Sequence, residues 1–316
     1  SEAHPLQNRA IQSKFAPGSV FKIVLAIAAL EAGKAGPGRT DFCPGSAVIY
    51  GRRFLCHEEG GHGTVAMVEA IQRSCNVYFY HLGRDLGISL ISQWARNLGF
   101  GSRTGVDLMH EEAGTVPDEA WKRRTRNEPW YPGETISVSI GHGALEVTPI
   151  QMASFAAAVG NGGTFYRPFL LKNREVRDGV EEVERAPEVL RKIPLKSSTL
   201  EVVKEAMWRV VNRGGTGTRA MIPGKDVCGK TGTAQVVKAS AGVKSNRLPE
   251  AIRDNAWFVG FAPRDHPRIA FAIFVEHGGY GGETAAPIAQ QVLLKFFEKE
   301  DGRQEPTQVA RATQHP

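Results

Sequence analysis

The sequence predicts an α+β domain in which an antiparallel sheet is covered by helices and joined to a mostly helical lobe. Helical patterns fill much of the chain up to Gly215, whereas three β-like runs lie close together after it. A length of 316 residues, with 41% hydrophobic and 23% charged residues, is typical of a globular chain with a sizeable core.

Apolar periodicity and end signals mark the helices. Residues 19–32 are apolar except at Lys22, which indicates a central, buried helix that ends at Gly33. The clearest start signal is Thr148 followed by Pro149, an N-cap and a first helical residue. Further helices are expected after Gly63, after Asn76, over 87–100, over 198–213 and over 285–298.

Three runs near the end have β character and should form antiparallel strands: DVCGKTGTAQVV, AWFVGFAP and RIAFAIFVEHGG. Residues 41–63 and 99–143 show no clear periodicity, and residues 164–196 resemble short strands and charged loops. We expect one domain over residues 1–300 and a polar, disordered tail over 301–316.

The charge balance does not point to nucleic acid. The net charge is +6, and the only concentrated basic stretch is WKRRTR, from Trp121 to Arg126. No nucleic-acid motif accompanies it, so a solvated basic face is favoured and no nucleic-acid partner is expected. The sequence has no run of about 18 apolar residues, so no membrane-spanning helix is expected.

A single lysine interrupts the first apolar helix, three residues after Ser19. Positions i and i+3 share a helix face, so Lys22 should lie above Ser19. Burial among Phe21, Ile23 and Val24 would lower the pKa of the lysine, and a neutral amine can take the proton of a serine hydroxyl. Taken alone, the pattern is explained better by an N-cap serine and a lysine that extends to water.

Two further motifs change this balance. SCN at 74–76 comes 55 positions after Ser19, at the junction of two predicted helices. KTGT at 230–233 lies inside a β-like run. Each motif is unspecific by itself, whereas Ser-x-x-Lys, Ser-x-Asn and Lys-Thr-Gly in this order are typical of β-lactamases and penicillin-binding proteins.

The chain resembles the transpeptidase domain of class B penicillin-binding proteins, most of all the penicillin-binding protein 2 type that serves cell elongation. The resemblance covers residues 8 to about 298 and includes the segments NRAIQSKFAPGSVFK, GGHGTV, SCNVYFY, WKRR, EPWYPGETISVSIGHG, VTPIQMA and GKTGTAQV. It implies a β-lactamase/transpeptidase-like fold. It also implies a peptidoglycan D,D-transpeptidase that cross-links stem peptides through a serine acyl-enzyme and is inhibited by β-lactams.

The resemblance implies a role for each catalytic side chain. Ser19 would attack the carbonyl of a peptide ending in D-Ala-D-Ala, and Lys22 would be the general base. Ser74 would relay a proton toward the leaving amine, and Asn76 would bond Lys22 and the substrate amide. Lys230 would supply positive charge near Ser74.

The same resemblance implies how the substrate is held. The hydroxyls of Thr231 and Thr233 would bind the substrate carboxylate. The backbone N–H groups of Ser19 and Thr233 would form the oxyanion hole, in which each donor is typically worth about 3–4 kcal/mol. Gly232 and Gly229 would leave room for a substrate that lies antiparallel to this strand.

The resemblance also implies partners and location. Stem peptides and β-lactams would be ligands, and a glycan polymerase and other cell-elongation proteins would join the full-length protein at the extracytoplasmic face of the membrane. Family members usually supply two sheet strands before the nucleophile helix, but only 18 residues precede Ser19. We therefore expect the chain to lack those strands, a membrane anchor and a non-catalytic module.

Three cysteines and a histidine, Cys43, Cys56, His62 and Cys75, fall within 33 positions of a region that lacks periodicity. Three thiols and an imidazole suit tetrahedral zinc, which would organise a segment with little core of its own. A Cys43–Cys56 disulfide and free buried thiols are the alternatives. The implied chemistry requires no cofactor, so a zinc ion here would be structural and would brace the loop at 74–76.

Two other functions would use the same acylation residues. A class A serine β-lactamase would place its deacylating glutamate in a Glu-x-x-x-Asn pattern, which does not occur in the sequence. A non-enzymatic penicillin sensor would remain acylated as a signal. The transpeptidase is favoured over both.

Overall fold

The computed structural model describes residues 6–171, 173–176, 180–184, 186–236 and 248–304. Its helices are α1 (Arg9–Gln12), α2 (Lys22–Glu31), α3 (Met67–Gln72), α4 (Asn76–Asn97), α5 (Glu119–Arg126), α6 (Pro132–Val138), α7 (Pro149–Gly160), α8 (Ser197–Asn212) and α9 (Ala285–Gln304). Its strands are β1 (Thr40–Cys43), β2 (Ser46–Ile49), β3 (Arg52–Leu55), β4 (Gly63–Ala66), β5 (Thr164–Tyr166), β6 (Asn173–Val176), β7 (Val180–Glu184), β8 (Val189–Lys192), β9 (Cys228–Ala234), β10 (Asn255–Ala262) and β11 (Ile269–Val275).

A three-stranded antiparallel sheet in the order β11–β10–β9 forms the centre of the fold. In its register, Trp257 of β10 lies between Gly232 and Phe274. Every residue of β10 from Ala256 to Ala262 is buried, and because successive strand residues point to opposite faces, both faces are covered. α7 and α9 pack on β10 and β11, and α8 packs on β9. The predicted α+β architecture is confirmed.

α2 is the central helix of the molecule. Its residues from Lys22 to Ala29 are all buried, and it packs against α4 and α8. α4 is long but bends at Gly87, whose φ of +74° breaks the helical geometry. The two helices predicted after Asn76 are therefore two arms joined across this bend.

Two regions that lack sequence periodicity nonetheless form regular secondary structure. Between α2 and α3, β1 pairs with β4 and β2 pairs with β3. Between α4 and α7, α5 buries only Lys122, so its sequence carries no apolar stripe. Asp118 caps α5 by accepting from the N–H of Trp121, and Lys122 pairs with Glu134 of α6 at 2.6 Å. A cap and an ion pair define these helices, which periodicity therefore did not predict.

α9 includes residues 301–304, the first four of the predicted tail, whereas residues 305–316 lie outside the described residues. Within the described strands β11 pairs only with β10 and forms one edge of the sheet. The lack of the first strands stays a prediction. Among the described helices, none combines the length and apolar character needed to cross a membrane.

Candidate active site

Ser19 lies in a 3-10 turn, Gly18–Phe21, that leads into α2. The α-helix begins three residues later than predicted, because the chain up to Phe21 is wound as this 3-10 turn, and Gly18 starts the turn with a left-handed φ of +54°. A Cβ at Gly18 would lie 2.5 Å from the carbonyl oxygen of Thr233, and the Gly18 N–H donates to the Gly141 carbonyl at 3.0 Å. The Ser19 turn is thus held between β9 and the loop at Gly141.

The Lys22 side chain is fully buried at the start of α2. Its Nζ donates to the Ser74 carbonyl at 2.7 Å and to Oδ1 of Asn76 at 2.6 Å. Burial lowers the pKa of Lys22 to about 8, although nearby cysteine thiolates act in the opposite direction. This agrees with the predicted desolvation. Among the described residues Lys22 makes no hydrogen bond to Ser19, and Ser74 and Asn76 hold the amine instead.

Ser74 lies in the short junction between α3 and α4 with a φ of +55°. Such a conformation is uncommon for a residue with a side chain, and here the Ser74 N–H is tied to the Ile71 carbonyl at 3.1 Å. The Ser74 Oγ accepts from Lys22 Nζ at 3.2 Å and from Lys230 Nζ at 2.9 Å. Two lysine amines therefore converge on one hydroxyl, as the motif set implied.

The Lys230 amine on β9 is fully buried and also donates to the Thr231 carbonyl at 3.0 Å. Burial lowers the pKa of Lys230 well below the ordinary value of a lysine, and the nearby Lys22 ammonium lowers it further. In the described part of the chain, neither amine is bonded to a carboxylate. The positive charge that we predict for Lys230 therefore depends on the protonation state of Lys22.

Thr231 and Thr233 lie on β9, which pairs with β10 on one side and with no other described strand. Thr231 is buried, and its Oγ1 lies 2.6 Å from Oγ1 of Thr216. Thr216 belongs to no sequence motif, so the sequence did not predict its place in the site. Only the contact across 15 positions identifies it.

Protein atoms lie close beside Gly229 and Gly232 of β9. A Cβ at Gly232 would lie 2.9 Å from the Pro17 carbonyl oxygen, and a Cβ at Gly229 would overlap the ring of Phe258. The protein itself fills the space beside both glycines. The predicted reason, room for a substrate, is wrong, since Gly232 instead lets the Ser19 turn pack against β9.

His142 connects the end of β9 to the loop that holds the Ser19 turn. Its Nδ1 lies 3.0 Å from the Ile140 carbonyl, which assigns the proton to Nδ1, and its Nε2 accepts from the Gln235 N–H at 3.3 Å. Burial lowers the pKa of His142, so the ring stays neutral and Nε2 remains an acceptor. No motif in the sequence selects this contact.

The predicted metal residues Cys43, Cys56, His62 and Cys75 form one buried cluster, and their ligand atoms all lie within 4.8 Å of one another. His62 Nδ1 is 3.6 Å from Cys43 Sγ and 3.5 Å from Cys56 Sγ. Zn–S bonds of about 2.3 Å and Zn–N bonds of about 2.0–2.1 Å in a tetrahedron give S···N separations of about 3.6 Å. All four cysteines of the chain are free, so the alternative Cys43–Cys56 disulfide is not formed.

One thiol of the cluster, that of Cys56, is favoured as thiolate, the form that binds metal. A hydrogen bond from Cys75 lowers the pKa of the Cys56 thiol, whereas that same bond and burial raise the pKa of Cys75. The Asn76 N–H also donates to Cys56 Sγ at 3.4 Å. Since Cys75 lies between Ser74 and Asn76, the cluster is joined directly to the loop that holds Lys22.

Comparison with known proteins decides the family. A model of the penicillin binding protein transpeptidase domain matches residues 1–294. The chain belongs to this family. The resemblance and the fold class predicted from the sequence are therefore confirmed.

This transpeptidase domain is 40% identical over 297 residues to the peptidoglycan D,D-transpeptidase MrdA of Acinetobacter baumannii, which covers 92% of the chain and 43% of that protein. Its structure matches PBP2 of Pseudomonas aeruginosa in complex with WCK 5153 with a TM-score of 0.78 and 36% identity, over 93% and 61% of the two chains. It matches PBP2 of Helicobacter pylori in complex with MreC with a TM-score of 0.79 and 28% identity, over 93% and 51%. The domain thus spans less than half the length of its A. baumannii relative.

Proposed function

We propose that the chain is a peptidoglycan D,D-transpeptidase that forms an acyl-enzyme on Ser19. The observation that carries this proposal is the buried Lys22 amine, which has a pKa of about 8 and is held by Ser74 and Asn76 beside the Ser19 turn. A neutral amine in that position is suited to activate a serine without a histidine. Membership of the family supports the reaction class.

In the first step, Ser19 Oγ attacks the carbonyl carbon of the penultimate D-Ala, and the neutral Lys22 amine takes the hydroxyl proton. The bond to the terminal D-Ala then breaks, and Ser74 passes a proton from Lys22 to the leaving amine. Its hydroxyl is suited to this relay because both lysines donate to it. In the second step the amine of another stem peptide attacks the ester, and its proton returns through Lys22 to Ser19.

Asn76 serves both the base and the substrate in this scheme. Its Oδ1 accepts from Lys22, and its Nδ2 donates to the Leu55 carbonyl at 3.3 Å. An amide nitrogen has two N–H groups, so one remains for the substrate amide.

The edge of β9 holds the rest of the substrate. The hydroxyls of Thr231 and Thr233 bind the terminal carboxylate, and the N–H groups of Ser19 and Thr233 form the oxyanion hole. The close approach of Gly18 to the Thr233 carbonyl and of Gly232 to the Ser19 turn supports this placement. Burial lowers the pKa of Lys230, and the Lys22 ammonium lowers it further, so Lys230 gains a proton more readily when Lys22 is neutral. In that state Lys230 is proposed to supply positive charge.

We also assign a structural zinc ion to Cys43, Cys56, His62 and Cys75. The S···N separations and the buried donor set fit a closed tetrahedral site. Bound there, zinc would hold the thiols as thiolates and supply no chemistry to the reaction. It would fix the start of α4, where Ser74 and Asn76 contact Lys22.

The relatives support a proposal for partners and location. We infer that β-lactams acylate Ser19 in place of stem peptides, and that the chain works at the extracytoplasmic face of the membrane with cell-elongation proteins. The matching H. pylori PBP2 was solved in complex with MreC, which supports a partner of that kind. A glycan polymerase is the second proposed partner, and no role with nucleic acid is proposed.

Labelling with a fluorescent penicillin tests the reaction. We expect one stable adduct per chain on Ser19, no adduct in Ser19→Ala, and release of D-Ala from a lipid-linked disaccharide pentapeptide in the presence of an acceptor peptide. Rapid turnover of a chromogenic penicillin would contradict the transpeptidase and indicate a β-lactamase. A stable adduct without D-Ala release or cross-linked product would indicate a penicillin sensor that has no transpeptidase activity.

The His142 contact carries a separate prediction. Because His142→Ala removes the acceptor for the Gln235 N–H, the end of β9 should loosen and penicillin acylation of Ser19 should slow by about three- to tenfold. His142→Gln retains a side-chain acceptor and should recover most of the rate. The measurement is the second-order rate constant of labelling, and an alanine variant as fast as the wild type would contradict the contact's role.

A further inference from the structure

A cavity of about 200 Å³ lies outside the candidate active site. It opens where the loop after α4, the first turns of α7 and the β5–β8 ribbon meet. Its lining includes Arg103, Gln151, Phe165 and Arg191. None of its lining residues belongs to the Ser19, Ser74 or Lys230 motifs or to the cysteine cluster. We call it the Arg103–Arg191 pocket.

Neither arginine of the pocket is bonded to a carboxylate among the described residues. Arg191 is half-buried and stacks over Phe165 at 4.7 Å, and in the described part of the chain its one hydrogen bond goes to the Arg96 carbonyl at 3.3 Å. Burial lowers the pKa of Arg191, and no carboxylate offsets this effect. Arg103 is exposed at the same pocket and makes no ion pair within the described residues. Since partly buried charges are usually paired, an anion from outside the chain would complete the site at Arg191, with the exposed Arg103 guanidinium beside it.

An apolar surface continues from the mouth of the pocket. Leu190 and Tyr166 line the pocket with 48% and 45% of their surface exposed, and Val189, opposite Tyr166 in the β5–β8 register, is 55% exposed. Leu170 and Leu171, whose N–H groups both donate to Asp107, are 71% and 56% exposed. Exposed large apolar side chains at the mouth of a cavity, here Leu190 and Tyr166, are typical of an interaction site.

We propose that this surface docks a segment of a partner protein in which one Asp or Glu is flanked by aromatic or large aliphatic side chains. Two guanidinium groups on one cavity can bind both oxygens of a carboxylate. The cavity is smaller than the roughly 300–1,000 Å³ of most small-molecule sites, and its apolar rim extends well beyond it, as a peptide with one anchoring side chain requires. The proposal does not depend on the reaction at Ser19.

Selection from a random heptapeptide phage library tests it. The library is first depleted on a chain carrying Arg103→Gln and Arg191→Gln and then panned on the wild-type chain. We expect enriched sequences with Asp or Glu beside Phe, Trp, Leu or Ile. A synthetic peptide of the enriched sequence should lose at least about tenfold in affinity for Arg191→Gln, and the same loss should follow a Glu→Gln change in the peptide.

Arg124→Gln is the matched control, because it removes one positive charge from the exposed face of α5 and should leave peptide affinity unchanged. Each variant should keep the melting temperature and penicillin labelling of the wild type, which separates loss of the site from loss of the fold. The proposal is overturned if no sequence is enriched, if enriched sequences lack a carboxylate, or if Arg191→Gln binds as well as the wild type. It is overturned also if the peptides bind this chain but not a longer protein that carries it, since a segment of the same polypeptide would then cover the surface.

Discussion

Substitution of Lys22 by alanine is expected to slow penicillin acylation of Ser19 by about 10³-fold, within the range that general base catalysis contributes. The amine is fully buried, is held by Ser74 and Asn76 and is the proposed acceptor of the Ser19 proton, so its removal takes away the proposed base. Lys22→Arg should be equally slow, because a guanidinium remains charged and cannot act as the base. The rate is measured by labelling with a fluorescent penicillin.

Two controls separate catalysis from folding in this experiment. Lys34→Ala removes an exposed lysine three residues after α2 and should label at the wild-type rate. Thermal unfolding of the Lys22 variants shows whether the emptied contacts to Ser74 and Asn76 destabilise the chain. Labelling of a folded Lys22→Ala chain at more than about a tenth of the wild-type rate would contradict the assignment of the base.

The same base gives the reaction a defined pH dependence. Because burial lowers the pKa of Lys22 to about 8, labelling should rise about tenfold per pH unit below that value and level off above about pH 9. Lys22 and Lys230 share the Ser74 hydroxyl, so the observed midpoint belongs to the pair. The free energy of unfolding should rise between about pH 8 and 10.5, since the unfolded chain binds more protons there.

Much of the site could be predicted because its chemistry is local in the sequence. Ser-x-x-Lys lies within one turn, and an apolar run around a lysine indicates burial whatever the fold. The cluster of Cys43, Cys56, His62 and Cys75 could be proposed in the same way, since four residues of two metal-ligand types fall within one short region. Helices such as α7 could be placed from their caps and apolar faces.

The remainder depends on contacts between distant parts of the chain. Thr216 meets Thr231, and His142 meets Gln235, through strand and loop geometry that leaves no pattern in either segment. Gly232 is a further example. Its place in the Lys-Thr-Gly motif indicated that something approaches the backbone closely, but only the packing of the chain shows that this neighbour is the Pro17 carbonyl. β1 to β4 were missed because each is only four residues long and few of their residues are buried.

Loss of the proposed zinc ion should produce the largest change in stability. Structural zinc contributes about 10–16 kcal/mol of apparent binding free energy in small zinc domains, and the region from β1 to β4 has few buried apolar residues of its own. Cys56→Ser should therefore reduce bound zinc from one ion per chain to near zero and lower the melting temperature by several degrees. Acylation of Ser19 should fall about 10- to 100-fold, because Cys75 fixes the start of α4 beside Lys22.

Cys228→Ser is the control for this change, because Cys228 is equally buried but lies on β9 outside the cluster. It should retain one zinc ion per chain and a labelling rate near that of the wild type. Treatment of the wild-type chain with a chelator should reproduce the Cys56→Ser phenotype, and one equivalent of zinc should reverse it. The zinc proposal would be contradicted if the wild-type chain bound no zinc yet labelled at the full rate. It would also be contradicted if the chain formed a Cys43–Cys56 disulfide on oxidation without loss of activity. The loop at 74–76 would then owe its position to the left-handed Ser74 backbone, to the hydrogen bonds of Ser74 and Asn76 with the Ile71 and Leu55 carbonyls, and to the two lysines.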